Sequence, residues 1–454
     1  MNYLTITVAV ALLLGAGIDP LLAGNSGNDL KAAAVRATAE DPATAAAARA
    51  ELRGAGPAGL DALYDANAEF AGLFRNETLF GPAPGIPQAT NSAWKSFCQA
   101  ADEIGAQHDD AVSRLYWYKD FEQAKAAARA AGKPILSLRL LGNLDEEFSC
   151  ANSRFFRTTL YPNAEVSKYL RDHFILHWKS VRPVPRITID FGDGRKMERT
   201  ITGNSIHYIL MPDGQPVDAL PGLYGAKAFL RGLAAAEREA AELSPLEGAA
   251  REAHLRQYHE RCLAETSDLA ARDVKTAGIK ISGDPESAAP GQVDGRPAAL
   301  KELDKLGDSD WNRIAFLHLD DGALDPSSRA LITSKIPTAI DAGRLTGSKM
   351  AVENPLTATI LNLQRSISGD TVRNEYLLHA RLHSWFASGV PVGSVDRLNA
   401  SVYAQLFLMP DSDPWLGLAP ANTFTGLDID HATPSPRSGR RVSFQPKSIQ
   451  PPAK

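Results

Sequence analysis

Over the first hundred residues the apolar positions recur at helical intervals. Asp41, Pro42 and Thr44 open an Ala-rich stretch that closes at Arg53 and Gly54, with the cap, early proline and terminal glycine of one helix. Gly56, Pro57 and Gly59 turn the chain into a second helix, whose apolar face runs through Leu60, Leu63, Phe70 and Phe74. The pair predicts a single helical hairpin within a helical N-terminal region, residues 25–107, with a Pro/Gly linker at 80–90.

From Tyr116 the period changes. Helical spacing over 121–131 gives way to an apolar strand at 135–141, then to helices over 150–159 and 163–172 and a strand at 174–178. Two more strands, 187–191 and 197–201, flank Gly192-Asp193-Gly194, a hairpin turn. A strand at 206–210, a turn at Pro212-Asp213-Gly214 and a closing helix over 226–243 complete the segment 108–243. Strands alternating with helices predict an α/β layer. Further helix is expected over 244–277, then a low-complexity linker at 278–298. A mainly helical region follows over 300–431, where Leu356, Ile360, Leu363 and Ile367 recur at helical spacing.

Composition alters this picture at both ends. The last stretch, 432–454, carries Arg437, Arg440, Arg441, Lys447 and Lys454 without an acid, among Pro and Ser, and reads as a disordered basic tail. At the start, 4–15 is an apolar run without a charge and Leu21-Leu22-Ala23 offers a cleavage site, so 1–23 reads as a signal peptide. The protein is therefore expected to be exported, periplasmic or in the cell envelope, with an uncleaved signal anchor as its one route to a membrane. A chain of 454 residues exceeds one ordinary core, and 44% hydrophobic with 22% charged residues is ordinary for a soluble protein. A net charge of −5 argues against a dedicated nucleic-acid binder. Three cysteines, Cys98, Cys150 and Cys262, are too few for a disulfide framework. Cys98 and Cys262 read as small buried residues, with a bridge between them as the alternative.

The specific motifs lie in the α/β segment. Trp117-Tyr118-Lys119-Asp120-Phe121-Glu122-Gln123-Ala124 leads to Gly132-Lys133-Pro134-Ile135-Leu136. Then come Cys150-Ala151-Asn152-Ser153-Arg154, Asn163-Ala164-Glu165-Val166, Leu210-Met211-Pro212-Asp213-Gly214, Pro221-Gly222-Leu223-Tyr224 and Phe229-Leu230. In order and spacing, from about Leu115 to about Leu233, this resembles the exported thioredoxin-like domains. The resemblance implies a central mixed sheet flanked by helices, with Cys150 as first cysteine of the active motif. Ser153 then stands in place of the second cysteine, and Ser205 in place of the cis-proline. The loop before Cys150 is longer than the family's and carries Asp145, Glu146 and Glu147.

Cys150 at a helix N-terminus is expected to have a lowered pKa, because unpaired N–H groups and the helix dipole favour a thiolate. Arg154 and Arg157 on the first turns would help, and Ser153 could hydrogen-bond the sulfur. Arg182, Arg186, Arg195 and Arg199 could present a cationic rim to an acidic thiol such as glutathione. His207 shares a strand face with Ser205, which makes it either a base for Cys150 or a histidine bonded within a packed sheet. Ser205, Arg154 and His207 are thus the expected substrate-binding residues. Glu375, His379 and His383, spaced i, i+4, i+8, could hold Zn or another divalent metal, or form a solvated polar face. No cofactor is expected. The function implied is a thiol redox protein acting through one nucleophilic cysteine on a protein or small-molecule thiol or disulfide. The alternative is a non-catalytic binding or scaffold protein with a degenerate thioredoxin fold.

Overall fold

A computed structural model describes residues 27–71, 92–281, 294–335, 355–389 and 393–413. The expected signal peptide, Phe74, the linker at 80–90 and the basic tail lie outside the described residues. The chain divides into two compact units, Met1–Asn399 and Ala400–Lys454. The described part of the second, 400–413, holds a π-helical turn, Val402–Leu406. Everything that follows concerns the first unit.

Its N-terminal layer is helical, as the pattern predicts. Asp41 caps Pro42–Gly54 by accepting the Thr44 N–H at 2.9 Å. Pro57–Ala66 returns against it so closely that a Cβ on Gly59 would stand 2.0 Å from the Leu52 carbonyl oxygen. Only glycine permits that approach. Two helices, Gly27–Arg36 and Ser92–Gly105, complete a core that includes Ala33, Leu52, Leu63, Tyr64, Phe97 and Ile104. Cys98 packs half-buried against it.

The α/β layer is built on a mixed sheet of five strands in the order β1-β3-β2-β6-β7. These are β1 (Trp117–Tyr118), β2 (Ile135–Leu141), β3 (Ile175–Arg182), β6 (Ser205–Leu210) and β7 (Pro216–Pro221). β1 and β2 run parallel to β3, while β6 is antiparallel to both β2 and β7. All seven residues of β2 are buried, and its two polar members find partners, Ser137 at His177 (2.8 Å) and Arg139 at Asp396 (3.3 Å). β4 (Arg186–Asp190) and β5 (Lys196–Thr200) form a separate hairpin between β3 and β6, turned by Gly192 and Gly194 at φ 76° and 91°. Asp120 caps Phe121–Ala131, and Asn163 caps Ala164–His173 by accepting from Glu165 and Val166.

β7 is a departure from the sequence pattern, which gave no strand between the turn at 212–214 and the helix at 226–243. Pro216 and Pro221 at its ends and Asp218 in its middle disguise it. The strand tolerates them because it lies at the sheet edge and Asp218 finds tertiary partners. The expected helix at 150–159 is also shorter. Ala151–Phe155 is α-helical and passes into a π-helical turn, Phe156–Leu160.

Beyond the closing helix Ala226–Leu243, a long helix, Gly248–Thr276, packs against it and against Ala380–Ala387, Asp308–Leu317 packs against Pro355–Arg373, and Pro326–Lys335 meets the α/β layer at Phe156–Leu160. The contact is close. A Cβ on Gly225 would meet the Asp321 carbonyl oxygen at 1.6 Å, and Ser328 donates to the Thr159 carbonyl at 2.7 Å. Among the described residues no helix is long and apolar enough to cross a membrane.

Candidate functional site

Cys150 lies at the end of the loop after β2 and is the N-cap of Ala151–Phe155, with extended φ and ψ. Its Sγ accepts the Ser153 backbone N–H at 3.4 Å, while the Ser153 hydroxyl donates to the Cys150 carbonyl at 3.0 Å. Cysteine and serine are both wholly buried. The chain between the hairpin and β6 lies against the cysteine helix. Ala151 N–H donates to the Thr202 carbonyl at 3.4 Å, and Thr200 Oγ1 to the Ser149 carbonyl at 2.9 Å. Asn152 Nδ2 donates to Ser205 Oγ at 3.0 Å, so Ser205 meets the cysteine helix itself. Among the described residues no peptide bond is cis.

This burial corrects the expectation of a lowered thiol pKa. Desolvation pushes the Cys150 thiol up, against the Ser153 N–H and other donors that favour a thiolate. The arginines do not reverse this. Arg157 is buried and committed to Asp109 at 2.8 Å and to the Glu147 carbonyl at 2.8 Å, so it pins the acidic loop. Arg154 is half-buried on the cysteine helix. At the rim, Arg195 pairs with Asp193 at 2.7 Å and Arg199 donates to the Glu198 carbonyl at 2.7 Å. Arg186 lies 3.9 Å from Glu146 and over the Phe148 ring.

His207 is brought to the cysteine helix but not into a bond with the thiol. Its Nε2 is hydrogen-bonded to the Tyr161 hydroxyl at 2.7 Å, and its ring packs edge-on against Phe156 and Phe229. Burial lowers its pKa to about 3, so it is a neutral imidazole in the packed core.

The second set of expected residues, Glu375, His379 and His383, lies on the other side of the sheet edge. The helix is interrupted there by a π-helical turn, Asn374–His379, and both histidines are buried rather than solvated. Asp218 of β7 and Tyr258 and His259 of Gly248–Thr276 converge on them. His379 Nε2 is 3.0 Å from Asp218 Oδ1, and Tyr258 donates its hydroxyl to Asp218 Oδ2 at 2.8 Å. His259 Nδ1 and His383 Nδ1 are 2.7 Å apart, and His259 Nε2 is 3.0 Å from the Val217 carbonyl. Burial works against the Asp218 carboxylate, yet the His379 imidazolium holds it well below the usual range. Burial likewise works against the His379 imidazolium, but Asp218 and Glu375 raise its pKa to about 10. His383 and His259 are driven the other way, chiefly by burial, and are neutral. A cavity of about 200 Å³ opens beside this group, lined also by Cys262, Glu375 and Arg231. Sequence reasoning missed Asp218, Tyr258 and His259. A lone acid between Val217 and Ala219 in an apolar run was the available signal.

Fold and sites therefore define a mixed α/β protein with helical layers, a sealed cysteine at one helix N-terminus and a buried carboxylate–imidazole cluster. No family model matches the chain, and neither does any curated protein or solved structure.

Proposed function

We propose that this protein is an exported, non-catalytic binding protein on a thioredoxin-like fold, in which the Cys150 motif is kept for structure. The strand order β1-β3-β2-β6-β7, with a cysteine capping the helix after β2, supports the fold assignment. The observation that carries the functional reading is the sealed sulfur. A thiol that is 0% exposed, and protonated because it is desolvated, neither attacks a disulfide nor meets an oxidant. The hairpin supports a binding role, since Ile187, Ile189 and Phe191 stand 40–50% exposed along it. The test is native-state alkylation of Cys150 across pH 7 to 9. It should stay slower than an ordinary free thiol of pKa ~8.5 until the protein unfolds. Rapid alkylation in the folded protein, or mixed disulfides captured at Cys150, overturns the proposal. One observation favours the rival single-thiol enzyme: the Ser153 N–H already points at the sulfur, as a thiolate requires. In that reading residues 200–205 must lift before reaction.

A further inference from the structure

The cavity beside β7 carries more than the sealed cysteine does. We infer that Asp218, His379 and His383 form a binding site for one divalent transition-metal ion of the zinc type, with an open coordination position facing the cavity. One carboxylate oxygen and two imidazole nitrogens converge there, each ligand atom within 4.8 Å of the others. In a tetrahedral site with bonds of about 2.0–2.1 Å the ligand atoms stand about 3.3 Å apart. Asp218 Oδ1 and His379 Nε2, at 3.0 Å, are already near that spacing, and His383 Nδ1 lies 3.9 Å from the same oxygen.

The surrounding bonds prepare the ligands. His259 Nε2 faces a carbonyl and therefore carries the proton, so its Nδ1 accepts from His383 Nδ1. That leaves the lone pair of His383 on Nε2 in the metal-free protein; Nδ1 is the nitrogen that faces Asp218, and to ligate through it His383 exchanges its bond to His259 for the metal and carries its proton on Nε2. Asp218 is oriented by the Tyr258 hydroxyl on Oδ2 and the Ala219 N–H on Oδ1 at 2.7 Å. His379 Nδ1 is buried without a hydrogen bond, and Glu375 Oε2 waits 3.5 Å away. When Nε2 binds a metal it gives up its proton to solvent while Nδ1 keeps its own, and Glu375 is placed to accept a hydrogen bond from that Nδ1–H in the carboxylate–histidine–metal pattern. Arg231, which also lines the cavity, is committed to Asp321 at 2.7 Å. Two imidazoles with one carboxylate select a zinc-like ion over calcium or magnesium, which prefer oxygen ligands. Three protein ligands leave a fourth position through which a molecule bound in the cavity can coordinate the ion, as a binding protein requires.

The experiment uses the full-length protein, stripped with chelator and titrated with Co²⁺ for its visible spectrum and Zn²⁺ by calorimetry. One equivalent should bind, with the cobalt bands of a low-coordinate nitrogen/oxygen site. Loss of an outer-shell partner weakens metal binding roughly 10- to 100-fold, so Glu375→Gln should fall in that range and Asp218→Asn and His379→Gln beyond it. Should Asp218→Asn fail to fold by circular dichroism, His383→Gln carries the same comparison. His254→Ala, which disrupts the separate Glu239, Glu242 and His254 group, should leave affinity unchanged. Absence of saturable binding by the folded natural protein overturns the proposal. So does binding that survives Asp218→Asn and His379→Gln, or that follows His254 instead.

Discussion

Gly203 is the most direct handle on the cover over Cys150. A Cβ at this position would stand 3.0 Å from Asn152 Oδ1 and 3.1 Å from Ala151 Cβ and N. Its φ lies outside the left-handed region, so the perturbation in Gly203→Val is steric contact alone. Overpacking of this kind costs about 1–3 kcal/mol. If the strain is relieved when residues 200–205 lift, the opening equilibrium shifts by the same free energy, about 5- to 150-fold. Where closing is fast, alkylation through the open form follows its population. Peptide-resolved alkylation at pH 8 should therefore show Cys150 faster by that factor, while Cys98 and Cys262 change little. An unchanged Cys150 rate would show that this segment is not the barrier. A common rise at all three cysteines would mean global loosening, and refute the argument equally.

The remaining predictions concern redox competence, pH and maturation. Ser153→Cys adds a second thiol about one turn from Cys150 but leaves both beneath the cover; disulfide reductase activity should stay at background and appear only when Gly203→Val is added. Activity in Ser153→Cys alone would count against the cover. Asp110 is fully buried, bonded to Ser113 and the Leu115 N–H, and burial raises its carboxyl to about 8. A raised acid contributes most below its unfolded pKa, and that contribution fades as pH rises from 3.8 towards 8. Asp110→Asn should accordingly gain stability against the natural protein by roughly 4 kcal/mol between about pH 4 and 7, read by denaturant titration; parallel pH profiles would refute this. The mature protein should be recovered outside the cytoplasm beginning near Gly24, and a cytosolic chain with Met1 intact would end the export proposal.

What was legible in the chain was local. The apolar run of β2, the caps Asp120 and Asn163, the Gly192–Gly194 turn and the N-cap position of Cys150 all depend on neighbours within a few residues, which periodicity and capping rules read directly. What was not legible depends on partners far along the chain. Asn152 meets Ser205 across 53 residues, and that contact belongs to the cover that buries the thiol. Asp218 meets Tyr258 across 40 residues and His379 across 161, and those contacts let a carboxylate sit inside a strand that reads as a loop.

The two centres also show why burial alone does not fix a charge state. At Cys150 and at Asp218 desolvation is the largest single influence, and at both it opposes the anion. Cys150 has only hydrogen-bond donors around its sulfur, which recover part of that loss, so the thiol stays protonated. Asp218 has the His379 imidazolium at hydrogen-bond distance within the same low-dielectric space, where a full opposite charge outweighs the penalty. At Cys150 the donors of the helix N-terminus thus offset only part of the desolvation. The same strength of burial, given one cation, keeps a carboxylate ionised in the core. The carboxylate, two imidazoles and cavity at the edge strand β7 are the geometry on which the proposed metal site rests.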